Sequence, residues 1–227
     1  MRYWVGIDLG STTTKAVVLD DDRKILGRGI TNSRSNYDVA CNVALGEALN
    51  NTRFTMLAAA LDRAGVDPGR AKGLLERLEL RFREQQYRGQ LASLRGCLLV
   101  HAGNLPDADA AEAAVVDLLD PMAAEAGELF SVGATRKSDF FRDLAGSRYL
   151  ELAEEHARTG VVHFDVLVGL YDKAILEVEN STAAIGTFDD LARHAVERLG
   201  ESAPELIAAV EDVLAIELEQ VASVGTG

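Results

Sequence analysis

Asp8, Gly10, Ser11, Thr12, Thr13 and Lys15 lie in the run VGIDLGSTTTK at positions 5–15, and together they have the makings of a phosphate site. Asp8 sits between Ile7 and Leu9 in an apolar segment. An ionised carboxylate is costly to bury there unless it is paired, hydrogen-bonded or facing a cation. Magnesium suits that need, because it prefers oxygen ligands, keeps several of its waters, and is held through one or two carboxylates plus substrate phosphates. Asp8 is therefore the candidate ligand of a magnesium-bound water. Gly10 allows a tight turn, after which the N–H groups and hydroxyls of Ser11, Thr12 and Thr13 form a concave set of donors for phosphate oxygens, with Lys15 adding a point charge. A plainer reading uses the same residues: Asp8 near a strand end, Gly10-Ser11 as an ordinary hairpin turn, and threonines chosen for strand propensity. The position of Asp8 inside the strand, ahead of the turn, favours the phosphate reading. The run contains neither GxxxxGK[ST] nor GxGxxG, so it lacks the Walker and Rossmann motifs.

The elements that must hold these residues can be read from periodicity. Residues 3–9 read as a buried strand, 15–19 as a second, DDDR at 20–23 as a turn, and 24–32 as the third strand of an antiparallel meander. From Asn36 the period becomes helical, with Val39, Ala40, Val43, Ala44, Ala48 and Leu49 on one face and Ser35 or Asn36 as the cap. A second helix is expected over Arg53–Ala64, with Phe54, Leu57, Ala58 and Leu61 inward, ending at the Gly65–Gly69 turn. A long helix over about 72–94 follows, its segment LERLELRFREQQYR at 75–88 mixing charge signs as a solvated face does, with Tyr87 and Arg88 also able to meet a partner. After a loop at 103–109 comes an Ala-rich helix at 110–129, broken or restarted at Asp120-Pro121. Further helices are expected at 138–158, 164–179, 187–199 and 203–220, the last with Ser202 and Glu205 at capping-box spacing. The closing VASVGTG returns to strand-like, Gly-rich chemistry, an end that reads as a truncation.

The fold class expected is α+β: a β-meander at 1–35, a large, mainly helical block at 36–220, and a returning strand at 221–227. The 227 residues are 48% hydrophobic, in keeping with a helical globular protein. A formal charge of −13 argues against nucleic acid, which demands clustered Lys and Arg, but not against a nucleotide held by backbone amides and a magnesium ion. No signal peptide or membrane-length apolar run is evident, so no membrane partner and a cytoplasmic location are expected. Cys41 and Cys97 have neither CxxC nor zinc spacing and read as small buried residues on helices. His101, His156, His163 and His194 show no paired-ligand spacing.

GIDLGSTTTKAVVLD resembles the first phosphate motif of the superfamily that includes actin, sugar kinases, acetate kinases and the 70-kDa heat-shock chaperones. The continuation ILGRGITNSRSNYDVACNVALGEAL is similar, more narrowly, to the ATPase subunits of ATP-dependent benzoyl-CoA reductase and the activators of 2-hydroxyacyl-CoA dehydratases. The resemblance implies that residues 1–35 begin an incomplete ribonuclease H-like ATPase lobe and that the helical block is an insert. It also implies ATP and magnesium as ligands, with Asp8 holding the magnesium water and Gly10, Ser11, Thr12, Thr13 and Lys15 the phosphates. The implied role is anaerobic aromatic degradation, in which ATP hydrolysis drives low-potential electron transfer from a [4Fe–4S] cluster held between two ATPase subunits to reductase subunits. The implied partners are therefore a second ATPase subunit and the reductase subunits. The cluster belongs to the parent complex, since Cys41 and Cys97 lack the Gly-rich neighbourhood of the family's ligands. The second phosphate motif and the adenosine segment are expected beyond Gly227, so the isolated chain is expected to be inactive. The competing expectation is a helical subunit-interaction module without catalysis of its own.

Overall fold

A computed structural model describes residues 1–33, 36–181, 186–199 and 203–226. The chain divides into two compact units, one formed by Met1–Phe82 with Thr187–Gly227 and the other by Arg83–Gly186. As expected of an α+β chain, a small sheet is followed by a mostly helical region.

In the first unit, β1 (Arg2–Leu9), β2 (Thr13–Leu19) and β3 (Ile25–Asn32) form the expected antiparallel meander, and β4 (Glu219–Thr226) joins it parallel to β1, giving the order β3-β2-β1-β4. The turn at 20–23 closes through Asp20, whose Oδ1 accepts from the amides of Asp22 and Lys24. α1 (Tyr37–Arg63) covers one face, packing Ala44 and Ala48 on Tyr3, Val5, Ala16 and Val18. The approach is unusually close. A Cβ on Gly27 would lie 2.1 Å from the carbonyl oxygen of Ala48, and one on Gly29 would lie 2.0 Å from that of Ala44.

The two helices expected between 36 and 64 are one, and the reason is chemical. Asn51 and Thr52, which lie between the two expected helices, are occupied by docking and by the helix itself: Asn51 donates to Arg28 O at 2.7 Å and Thr52 to Ala48 O at 2.8 Å. Thr55 donates to Leu26 O at 2.7 Å, so α1 satisfies carbonyls of β3. The buried stripe is Ala40, Ala44, Ala48 and Thr52, continued by Met56, Leu57, Ala60 and Leu61, whereas Ala58 is exposed. Asn36 is the cap, its Oδ1 accepting from Val39 N at 3.3 Å; Ser35, the other candidate, lies outside the described residues. Asn36→Ala should cost about 1 kcal/mol of stability in urea denaturation.

The lower half of α1 builds a second core with the start of α2 (Pro68–Ala102), α6 (Phe188–Leu199) and α7 (Pro204–Leu214). At its centre the rings of Phe54, Phe82 and Phe188 meet at centroid distances of 5.1–5.7 Å. α7 stops at Leu214, short of the expected 220. Arg53 donates to the carbonyls of Val213 and Ile216 at its end, and Glu219 N bonds Met1 O at 2.9 Å to start β4 in register with β1. Ser202, the other half of the expected capping box, lies outside the described residues.

The second unit is helical: the rest of α2, α3 (Ala108–Leu129), α4 (Phe141–Thr159) and α5 (Phe164–Asn180). α3 runs unbroken through Pro121, contrary to the expected interruption; proline lacks only the one N–H that would bond the carbonyl four residues back, and the flanking Leu118, Leu119 and Met122 are all buried. The stretch 75–88 is not a solvated face. Leu78 and Phe82 are buried in the first unit, and in the second Tyr87 is buried and Glu84, 1% exposed, pairs with Arg88 at 2.8 Å. Among the described residues no helix is long and apolar enough to cross a membrane.

Candidate functional site

Strand alternation sets the geometry of the hairpin. Tyr3, Val5 and Ile7 point to α1, so Trp4, Gly6 and Asp8 lie on the other side of β1. Asp8 is exposed, in contrast to the buried carboxylate expected, because no described element of the first unit covers that side. Lys15 stands directly opposite on β2 and Thr226 on β4, the neighbouring parallel strand. Although Asp8 and Lys15 are cross-strand partners, no ion pair joins them among the described residues, so both remain open to an external group.

The turn is closed by Gly10 N donating to Thr13 O at 3.1 Å, and a Cβ on Gly10 would sit 2.8 Å from that oxygen. Only glycine closes the turn this tightly. Ser11 and Thr12 are exposed and Thr13 half-buried, and among the described residues the amides of Ser11 and Thr12 donate to nothing. The turn therefore offers two unspent amides and three hydroxyls beside a carboxylate and an ammonium group.

Ser33, which follows β3 and belongs to no motif in the sequence, braces the turn. Ser33 N donates to Thr12 O at 2.8 Å, its hydroxyl donates to Gly10 O, and the hydroxyls of Ser33 and Thr14 are 3.2 Å apart. It thus ties the hairpin carbonyls back and leaves the amides facing outward, a positioning role. Strand pairing brings this segment to the hairpin, so only the β2–β3 register could have exposed it.

The residues fit the phosphate end of a magnesium nucleotide. A single carboxylate with room for water, two free amides and a lysine are the donor set such a ligand uses. Nothing among the described residues gathers three His, Cys, Asp or Glu side chains into a cage. Cys41 and Cys97 are on α1 and α2 as expected, but half-buried instead of buried. Burial, together with the Glu177 carboxylate, pushes the Cys97 thiol up, away from thiolate chemistry. His101 bonds Glu177 at 2.8 Å, and His156 stands 3.9 Å from Asp117.

No curated protein and no solved structure matches the chain. A family model does match, over residues 5–128, which is more than half the chain and takes in the hairpin, α1, α2 and nearly all of α3. The chain belongs to the BadF/BadG/BcrA/BcrD ATPase family.

Proposed function

We propose that the hairpin is half of an ATP site, and that the chain is part of an electron-activating subunit of a benzoyl-CoA reductase-like enzyme, coupling ATP hydrolysis to low-potential electron transfer. The observation that carries the reading is the pair of unspent amides at Ser11 and Thr12 set beside Asp8 and Lys15 in a chain of an ATPase family. When bound, magnesium would neutralise charge on the phosphate oxygens. Asp8 would orient a metal-bound water through its carboxylate. The amides of Ser11 and Thr12, with the hydroxyl of Thr13, would fix the phosphate chain, and Lys15 would add a positive charge. Gly10, at the start of the phosphate turn, and Ser33 hold the turn in shape.

Phosphoryl transfer draws its rate from positioning and electrostatics supplied by several loops at once. One hairpin therefore gives weak ATP binding in isolation, and full activity belongs to the assembly with a second ATPase subunit and reductase subunits. In that assembly Asp8→Asn should lower ATP hydrolysis at least about 100-fold, the scale of losing one group that stabilises transition-state charge. Equal rates for the two proteins would remove Asp8 from the mechanism. A helical docking module is the second reading, favoured by the separate core of the second unit, to which no hairpin residue contributes. Calorimetry of the 227-residue chain with Mg-ATP bears on it: saturable binding that Asp8→Asn weakens supports the nucleotide reading over the docking module.

A further inference from the structure

Thr226 reaches Asp8 only because β4 departs from regular pairing. The strand starts in register with β1, Glu219 N bonding Met1 O, and Arg2 and Tyr3 face Glu219 and Gln220. Carried on unchanged, that register would bring Gly225, which has no side chain, beside Asp8. The pairing instead shifts by one residue between Tyr3 and Trp4, so that Trp4 faces Ala222, Gly6 faces Val224 and Asp8 faces Thr226. An extra residue of this kind is rare in a parallel pair, and at sheet edges and beside active sites it re-aims side chains. Here it puts a hydroxyl next to the carboxylate.

Paired residues of neighbouring strands share a face and stand about 4.8 Å apart. Asp8 is therefore the middle of a row across three strands, with Lys15 on one side and Thr226 on the other, and all three are exposed. Among the described residues no side-chain hydrogen bond uses the Thr226 hydroxyl or the Asp8 carboxylate. Ser223, the other hydroxyl of β4, faces Val5 and so lies on the side of α1. An exposed carboxylate turns easily about its last torsion, which has broad wells. A hydroxyl that donates to one of its oxygens fixes the plane and aims the other. Groups that orient a metal ligand in this way are worth about 10–100-fold in metal affinity.

We propose that Thr226 is a positioning residue of the candidate magnesium site: its hydroxyl donates to one oxygen of Asp8 and leaves the other for the metal-bound water, while Lys15 is kept for phosphate. The proposal rests on the nucleotide reading of the hairpin.

Calorimetry of the 227-residue chain with Mg-ATP, and with ATP in EDTA, separates metal-dependent from metal-independent binding. Thr226→Val keeps the shape of the side chain and suits an exposed strand position, so the melting transition followed by Trp4 fluorescence should not fall. It should weaken Mg-ATP about tenfold and leave metal-free ATP unchanged. Thr226→Ser, which keeps the hydroxyl, should bind Mg-ATP as the parent does. Because the hydroxyl acts through Asp8, adding Thr226→Val to Asp8→Asn should cause no further loss. Losses that multiply in the double variant, or an equal loss for metal-free ATP, would overturn the positioning role. Unchanged Mg-ATP binding in Thr226→Val beside weakened binding in Asp8→Asn would sink this proposal alone and leave the nucleotide reading standing. A parent chain with no saturable Mg-ATP binding would remove that reading and this proposal with it.

Discussion

Gly29→Ala should unfold the sheet-bearing unit at a temperature about 10 °C or more below the parent. A methyl group there would lie 2.0 Å from the carbonyl oxygen of Ala44, which is helix backbone and not the end of a movable side chain. Relief requires lifting α1 from β3, and that lift also breaks the bonds from Asn51 to Arg28 O and from Thr55 to Leu26 O. Overpacking alone costs about 1–3 kcal/mol, and the lost docking bonds take the total to the upper end or beyond. For a unit of this size, each kcal/mol corresponds to a few degrees of Tm. Gly46 provides the control. It is exposed on the same helix, and a Cβ added there would meet nothing within 4 Å, so Gly46→Ala should stabilise by about 0.5–1 kcal/mol through helix propensity. Trp4 on β1 gives the fluorescence signal for both variants. If the two substitutions shift the transition in the same direction, the close contact of α1 and β3 does not exist in solution.

Arg88→Met should destabilise the helical unit by about 1.5–3 kcal/mol, the scale of losing hydrogen bonds to a buried charged group. Glu84 is 1% exposed; Arg88 Nε and Nη2 both reach its Oε1 at 2.8 Å, while Nη1 donates to Ala123 O at 2.8 Å. Gly127 on α3 leaves room for the pair, since a Cβ there would already sit 3.9 Å from the Glu84 oxygen. Adding Glu84→Met to Arg88→Met replaces the ion pair by apolar side chains of similar volume and should recover part of the loss, because such a replacement is often as stable as a buried ion pair. Amide hydrogen exchange along α2 and α3 reads the effect in this unit apart from the sheet. A loss below about 1 kcal/mol for the single variant would mean that Arg88 does not hold the Glu84 carboxylate.

The opening hairpin was legible in the sequence because its chemistry is local. Asp8, Gly10 and the hydroxyl run are neighbours in the chain, and strand alternation with one glycine turn is enough to set them side by side. The helical block was legible in kind, since apolar periodicity reports which segments coil. Its boundaries were less so where polar residues gain partners that local reasoning cannot see. A new helix was expected from Arg53, whereas α1 runs on through Asn51 and Thr52 because β3 supplies the carbonyl of Arg28 for Asn51. Arg53 ends α7 only because folding brings Val213 and Ile216 to it.

Residue order alone was enough for an α+β chain, a Gly-closed turn rich in donors and a carboxylate beside it, since each depends on residues a few positions apart. It took the packed molecule to leave Asp8 exposed, to brace the turn with Ser33 and to bury Glu84 with Arg88. Those outcomes turn on which surfaces are covered and which distant groups become partners. Burial and long-range pairing are properties of the folded chain as a whole, whereas local pattern fixes only the direction in which each side chain sets out.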